Sequence, residues 1–405
     1  MAKPLFIAEI LHVIISELAE DKQSLARLAQ TSKAFTDPCL DGLWHTMDSF
    51  FPFIFLLPRY VRSVLLGEKR SVSYHCKKLK SHWSTLTQRL MTLSRPGIRI
   101  QRLGEWEYFD KYARRVRVYL QTDIDAYQKA YQVVSMMREQ HLFPNLRDLD
   151  WRIIGSYSME LWSLSPSLQS LTILQHPFIG ITEFFLRQLA HDAPELESLE
   201  IRFSFPDRSI VNTTMGPVPF NRLKSVTIKM LDLAVVDFCR YLSLPSVTSL
   251  AISLSCLGKA WHPGSLAFRG LETLTILGDP ASASLFVEHV GSTHLRDVFL
   301  VLKNEDVTLS DCQKLLTTLF KTHGQSLRLL YCNINGQSIS HPSIIDQLVN
   351  EFLSELRLYV RGSGMERVRV VLHSLPHHIV GQHTIIVADF INATWTQMEL
   401  FQNQI

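Results

Sequence analysis

Four histidines lie close together near the C-terminal end, His373, His377, His378 and His383, and imidazole is a common zinc ligand. His373 and His377 are four residues apart, the spacing that aligns two ligands on one helix face. Pro376 stands between them and opposes that helix. They read as loop histidines, and no metal site is expected. Cys239 and Asp237, in "VVDFCRYL", are of catalytic type but fall on a helical pattern whose apolar members face a core. The chain has no G-x-G-x-x-G or G-x-x-x-x-G-K phosphate loop, no G-x-S-x-G nucleophile turn and no H-E-x-x-H pair. The expectation is a chain that is not an enzyme, takes no cofactor and works by binding.

Charge and composition narrow the partners. A formal net charge of +3 over 405 residues favours no particular one. Residues 59–102 differ, with eleven lysines and arginines against a single acid, Glu68, and Tyr74 and Trp83 interleaved. No nucleic-acid-binding motif frames this run, so it reads as a solvated connector and nucleic acid is an unlikely partner. The six cysteines are scattered with no C-x-x-C pair, as in reduced intracellular proteins. "FFPFIFLL" at 50–57 is too short to span a bilayer. An intracellular chain, cytoplasmic or nuclear, is expected, without a membrane partner.

The elements that must position a binding surface fall into two kinds. At the front, Ile7, Ile10, Leu11, Ile14 and Leu18 share one helical stripe. Asp21 can cap a second helix with the stripe Leu25, Leu28, Ala29 and Ser32, and "TDP" at 36–38 predicts a third, starting at Pro38 and carrying Leu40, Leu43 and Trp44. Three helices in about 40 residues bury little by themselves, so some of this apolar surface is expected to meet another protein.

Beyond residue 140 a second pattern recurs: "FPNLRDLDW", "SPSLQSLTI", "APELESLEI", "FNRLKSVTI", "LPSVTSLAI", "FRGLETLTI", "THLRDVFL" and "QSLRLLYC". Its first apolar anchors are Leu146, Leu168, Leu196, Leu223, Val247, Leu271, Leu295 and Leu327, a period of about 26 residues. L-x-x-L-x-L at this period is the signature of leucine-rich repeats, one short parallel strand and a return segment per unit. Helical return segments are predicted in "GITEFFLRQLAHDA", "AVVDFCRYL", "SLFVEHV", "LSDCQKLLTTLF" and "SIIDQLVNEFL". The usual Asn or Cys after the strand is replaced by His176, Ser204, Leu231, Ser255, Asp279 and Lys303, so the array is irregular. "WEYFDKYARRVRVYL" at 106–120 reads as an opening unit and "FLSELRLYV" at 352–360 as a ninth strand, and the pattern fades after Gly364.

The front segment "IAEILHVIISELAEDKQSLARLAQTSKAFTDPCLDGLW" resembles an F-box of the kind common in fungal proteins, and irregular repeats follow the F-box in many relatives. The expected fold is therefore α/β: a three-helix F-box at 1–50, a basic connector at 51–105, a leucine-rich-repeat horseshoe with a parallel sheet and outer helices at 106–364, and a cap or divergent tail at 365–405. The resemblance implies that Ile7, Ala8, Ile10, Leu11, Ile14, Leu25, Leu28, Ser32, Phe35, Leu43 and Trp44 dock a Skp adaptor, and through it a cullin scaffold. Ala8 stands where the family's opening proline stands. The implied function is substrate recognition in a Skp-cullin-F-box ubiquitin ligase; the alternative is a repeat scaffold with no ligase role. A protein substrate would meet the strand residues between the buried leucines, among them Arg152, Thr172, Glu200, Arg202, Thr227, Lys229, Thr275 and Phe299. Arg202 and Lys229 are expected as neighbours on adjacent strands, a place for an acidic or phosphorylated segment.

Overall fold

The structure, a computed structural model, describes residues 8–66, 106–120, 134, 138, 140–153, 164–175, 183–203, 218–229, 239, 242, 244–254, 268–304 and 309–336, and the backbone of 367–374, 382–391 and 394–404. The chain divides into two compact units, Met1–Leu174 with Gln188–Leu196, and Gln175–Arg187 with Glu197–Ile405.

In the first unit three helices lead, α1 (Ala8–Glu17), α2 (Lys22–Thr31) and α3 (Lys33–His45). Asp21 caps α2 as its type predicts, its carboxylate accepting the Ser24 backbone N–H at 3.0 Å. The start of α3 differs from the sequence expectation. Ser32 is extended and its hydroxyl accepts the Ala34 N–H at 3.3 Å, so the helix begins at Lys33 and Pro38 lies inside it. The Thr36 hydroxyl, which with Asp37 was one of two caps offered by "TDP", instead donates to the carbonyls of Ala29 at 2.9 Å and Ser32 at 3.2 Å. Pro38 has no N–H for the Ala34 carbonyl, so this helix forgoes one internal bond.

Directly after α3 come the two-residue strand β1 (Thr46–Met47), the helices α4 (Phe51–Ile54), α5 (Arg59–Leu66) and α6 (Glu107–Ala113), and then β2 (Val118–Leu120), β3 (Asp148–Ile153) and β4 (Ser170–Gln175). β1 pairs parallel with β2, and β2 with β3. Residues 106–120 thus form a helix and the second strand of the sheet, whose first strand, β1, follows the helical module.

Each strand is set by the same local physics. In "FPNL" and "SPSL" the anchor leucine closes a β-turn with proline at its second position: Leu146 N–H reaches the Phe143 carbonyl at 3.1 Å, and Leu168 N–H the Ser165 carbonyl at 3.1 Å. One carbonyl then accepts two successive N–H groups of the next strand, as the Arg147 carbonyl does from Gln169 at 2.8 Å and Ser170 at 2.9 Å. This fork holds the register, and a one-residue slip would turn every leucine outward.

The second unit repeats the scheme. β5 (Ser198–Phe203), β6 (Ser225–Lys229), β7 (Ser249–Leu254), β8 (Thr273–Gly278), β9 (Asp297–Asn304) and β10 (Leu329–Gly336) pair in sequence, all parallel. The same carbonyl fork recurs at Glu197, Lys224, Thr248, Glu272 and Arg296. The buried members of each strand are the apolar positions of the repeat, such as Leu250, Ile252, Leu274, Ile276, Val298 and Leu300. The residues between them keep part of their surface exposed and form an open face.

Among the predicted return helices, α7 (Glu183–Asp192), α8 (Pro280–His289) and α9 (Leu309–His323) are present. Asp279 caps α8, accepting from Ser282 N–H at 2.8 Å, with Pro280 at the first helical position. Gly278 precedes this cap with φ +150°; a Cβ there would lie 1.6 Å from the Leu254 carbonyl oxygen. The return segment of "AVVDFCRYL" is described only at Cys239, which is helical and buried, and at Leu242. "SIIDQLVNEFL" and the expected ninth strand at 352–360 lie outside the described residues.

The parallel array continues one strand further, with β11 (Arg367–Ser374) alongside β10; β12 (Gln382–Ile391) and β13 (Thr394–Gln404) then run antiparallel, with a register shift between Ala388 and Asp389. The chain is thus an α/β protein with an open parallel sheet in repeat order.

Candidate functional site

Two surfaces stand out, the first on the helical module. In α1, Leu11 is buried while Ile14 and Leu18 are half-buried, so this stripe faces α3. Ile10, which the sequence placed in that stripe, is instead 39% exposed beside it, and Val13, one turn on, is 59% exposed. Large aliphatic side chains so exposed in adjacent turns leave apolar surface for a partner. Val13 was not among the expected docking residues, since the inward stripe drew attention away from it.

The remaining expected docking residues sit in different places. Ile7 lies outside the described residues, and Ala8 opens α1 with its side chain undescribed. Leu25 is fully buried, so it supports the module from within. Leu28, Ser32, Phe35 and Leu43 are half-buried. Trp44 is half-buried against Phe53 and Tyr112, with ring centroids 5.0 and 4.9 Å away.

That tryptophan belongs to a junction. Phe53 meets Phe50, Phe109 and Phe143 at 5.7, 5.6 and 5.0 Å, and Tyr119 on β2 packs on Phe143 at 5.6 Å. The Arg138 guanidinium covers Trp106 and Phe109 at 5.3 and 5.4 Å and pairs with Asp110 at 2.5 Å. The backbone joins too, Arg117 N–H donating to the His45 carbonyl at 2.9 Å. Arg115, 12% exposed, reaches from the end of α6 to α3, where Nη2 meets Asp37 Oδ1 at 2.7 Å and Nη1 meets the Asp37 carbonyl at 3.1 Å and the Asp41 carboxylate. The helical module is therefore built into the first strands rather than appended to them.

The second surface is the open face of the second unit. Arg202 and Lys229 are register partners, as the repeat spacing predicts. They do not present a bare basic pair, however. Glu200 Oε1 accepts from Arg202 Nε at 2.6 Å and from Lys229 Nζ at 3.0 Å. Burial works to raise the Glu200 pKa, but the hydrogen bonds and charges of the two cations outweigh it and hold the carboxyl below its ordinary value. The cluster carries two positive charges and one negative, with Lys229 and Arg202 about half exposed. Nearby, Lys224 pairs with Glu197 at 3.0 Å just before the strands.

Further along this face, Thr227, Ala251, Thr275, Phe299 and Tyr331 stand in one register row. The Phe299 and Tyr331 rings lie 6.3 Å apart at 40°. Tyr331 was missed in the sequence because "LRLLYC" follows the longest repeat step, though its place between two buried positions was readable. In the first unit Thr172 is half-buried on β4 and Arg152 lies on β3 with its side chain undescribed.

Of the C-terminal histidines, His373 is in β11 and His383 in β12, while His377 and His378 lie outside the described residues. Among the described residues no group of three or more His, Cys, Asp or Glu is placed to hold a metal ion, and no helix is long and apolar enough to cross a membrane. Most of the basic run, from residue 67 to 102, is also outside the described residues. No protein-family model matches this sequence, and none of the curated proteins does.

Proposed function

We propose that the chain is the substrate-recognition subunit of a Skp-cullin-F-box ubiquitin ligase, docking the adaptor through α1–α3 and holding a protein substrate on the open face of its repeat sheet. The observation that carries this reading is the pair Ile10 and Val13, exposed on the leading helix of a module whose Leu11, Leu25 and Cys39 are buried and whose Trp44 packs on Phe53 and Tyr112. The resemblance of residues 5–47 to an F-box supplies the partner class. The sheet supports a binding role, with an alternating row of half-exposed residues on every strand from β6 to β8.

In this reading the chain performs no chemistry itself. It raises the effective concentration of a substrate lysine beside a ubiquitin-loaded enzyme carried by other subunits. Affinity purification of the tagged full chain tests it. Adaptor and cullin recovered together in stoichiometric amounts are expected; a stable partner set that contains neither contradicts the proposal and favours a repeat scaffold with no ligase role.

A further inference from the structure

Two phenylalanines lie on the surface just after the helical module. Phe51, which opens α4, and Phe55, which follows it, are 42% and 47% exposed, and their rings meet edge to face at 5.0 Å and 89°. Phe53 and Ile54 between them are buried, so the pair is the outer side of a turn anchored in the aromatic junction. Cations adjoin it: Arg59, which opens α5, is exposed, and Arg62 donates from Nη1 to the Phe55 carbonyl at 3.3 Å. From residue 49 to 104 the sequence holds eleven lysines and arginines against one acid, Glu68. Nine of these cations fall after α5, outside the described residues, but both ends of that segment are held at one place. It leaves from the end of α5 and returns at Trp106, whose indole Nε1 donates to the Tyr60 hydroxyl of the same helix at 3.2 Å. A chain tied at both ends keeps its charge concentrated beside its anchor whatever path it takes.

We infer that this corner attaches the protein to the surface of an anionic membrane, with Phe51 and Phe55 entering the boundary between headgroups and acyl chains and Arg59 among the lipid phosphates. "FFPFIFLL" is too short to span a bilayer, and the expectation of no membrane partner rested on that length; lying on a bilayer needs no spanning segment. A small apolar anchor binds a membrane weakly by itself, and basic charge held next to it supplies the second signal that makes attachment stable. Nucleic acid fits the rings less well, because an edge-to-face pair offers no continuous platform on which successive bases could stack. A specific protein interface buries about 800 Å² on each partner. Over residues 48–62 the exposed side chains are Asp48, Phe51, Phe55 and Arg59, a small part of such an area but enough for insertion. This surface is separate from Ile10 and Val13, so the inference goes beyond the adaptor reading and stands without it.

Co-sedimentation of the purified full chain with vesicles tests it. Vesicles of phosphatidylcholine with phosphatidylserine are expected to carry the protein down, and phosphatidylcholine alone is not. The double variant Phe51→Ser, Phe55→Ser should bind roughly tenfold or more weakly, with a urea midpoint near that of wild type because both side chains are exposed. Arg59→Glu, a change of two charges at the surface, should weaken binding by a similar factor, roughly tenfold or more. A second readout needs no loss of binding: Phe55→Trp should show quenching by brominated acyl chains beyond that of wild type, since the ring at this position enters the lipid. No sedimentation with phosphatidylserine vesicles, equal binding by the double serine variant, or no added quenching of Phe55→Trp would each overturn the inference. Single-stranded RNA that displaces the vesicles and loses affinity in the serine variant would assign the rings to nucleic acid instead, and overturn it as well.

Discussion

Replacing Arg115 with methionine removes the guanidinium that ties α6 to α3 while keeping an apolar stem of similar length. The two carboxylates are 74% and 65% exposed, so each ion pair alone is worth under about 1 kcal/mol. The Arg115 side chain is 12% exposed and its guanidinium also donates to the Asp37 carbonyl, a bond from a charged donor worth about 1.5–3 kcal/mol. Methionine recovers part of this by avoiding the cost of desolvating a cation. The expected net loss is about 1–2 kcal/mol. Urea denaturation followed by tryptophan fluorescence reads it, since Trp44, Trp106 and Trp151 all lie in the first unit. A double-mutant cycle with Asp37→Ala should return a coupling near 0.5–1 kcal/mol, with each single variant still folded. A loss under about 0.3 kcal/mol, or a cycle with no coupling, would refute the view that this residue joins module to sheet.

Gly278→Ala should be far costlier, about 3 kcal/mol or more, because φ of +150° and a Cβ 1.6 Å from the Leu254 carbonyl oxygen leave no room without moving β7; loss of soluble protein or a large drop in the melting temperature checks it. His323 is 3% exposed with Nδ1 3.1 Å from the Ser292 carbonyl, and burial lowers its pKa although the carbonyls of Val287 and Ser292 partly oppose this. The unfolded chain then binds the proton more readily, so stability is full above about 6.5 and falls as pH drops from there toward the lowered value; His323→Gln should lose less stability than wild type between pH 7.5 and 5.5. A fragment of residues 1–50 should not fold, because it lacks Phe53, Tyr112, Arg115 and the strand that pairs with β1; circular dichroism of that fragment against residues 1–175 tests this.

The sheet was legible because its signal is local. An apolar pair at i and i+2 behind a turn appears in one short window, and the strands of all eight recurring segments are present, while the expected ninth lies outside the described residues. The Asp21 cap was legible for the same reason. The start of α3 was not, since both Ser32 and Thr36 can cap, and only the Thr36 bond back to Ala29 shows which one does. The role of Trp44 was hidden as well. A half-buried tryptophan reads alike whether it awaits a partner or packs on Phe53 and Tyr112 from distant parts of the chain. Glu200 escaped as the bridge between Arg202 and Lys229 because one contact lies along its own strand and the other across a repeat. β1, at two residues, is shorter than any periodic pattern.

The most direct measurement is a calorimetric titration of the purified Skp adaptor into the full chain, beside the double variant Ile10→Asp, Val13→Asp. Both side chains are exposed, so the variant should keep its fold while placing two carboxylates in the proposed docking surface, where an unpaired buried charge costs several kcal/mol. The account predicts a one-to-one complex with wild type and at least a hundredfold weaker binding with a folded variant. No binding to wild type, or equal binding to both, would contradict it.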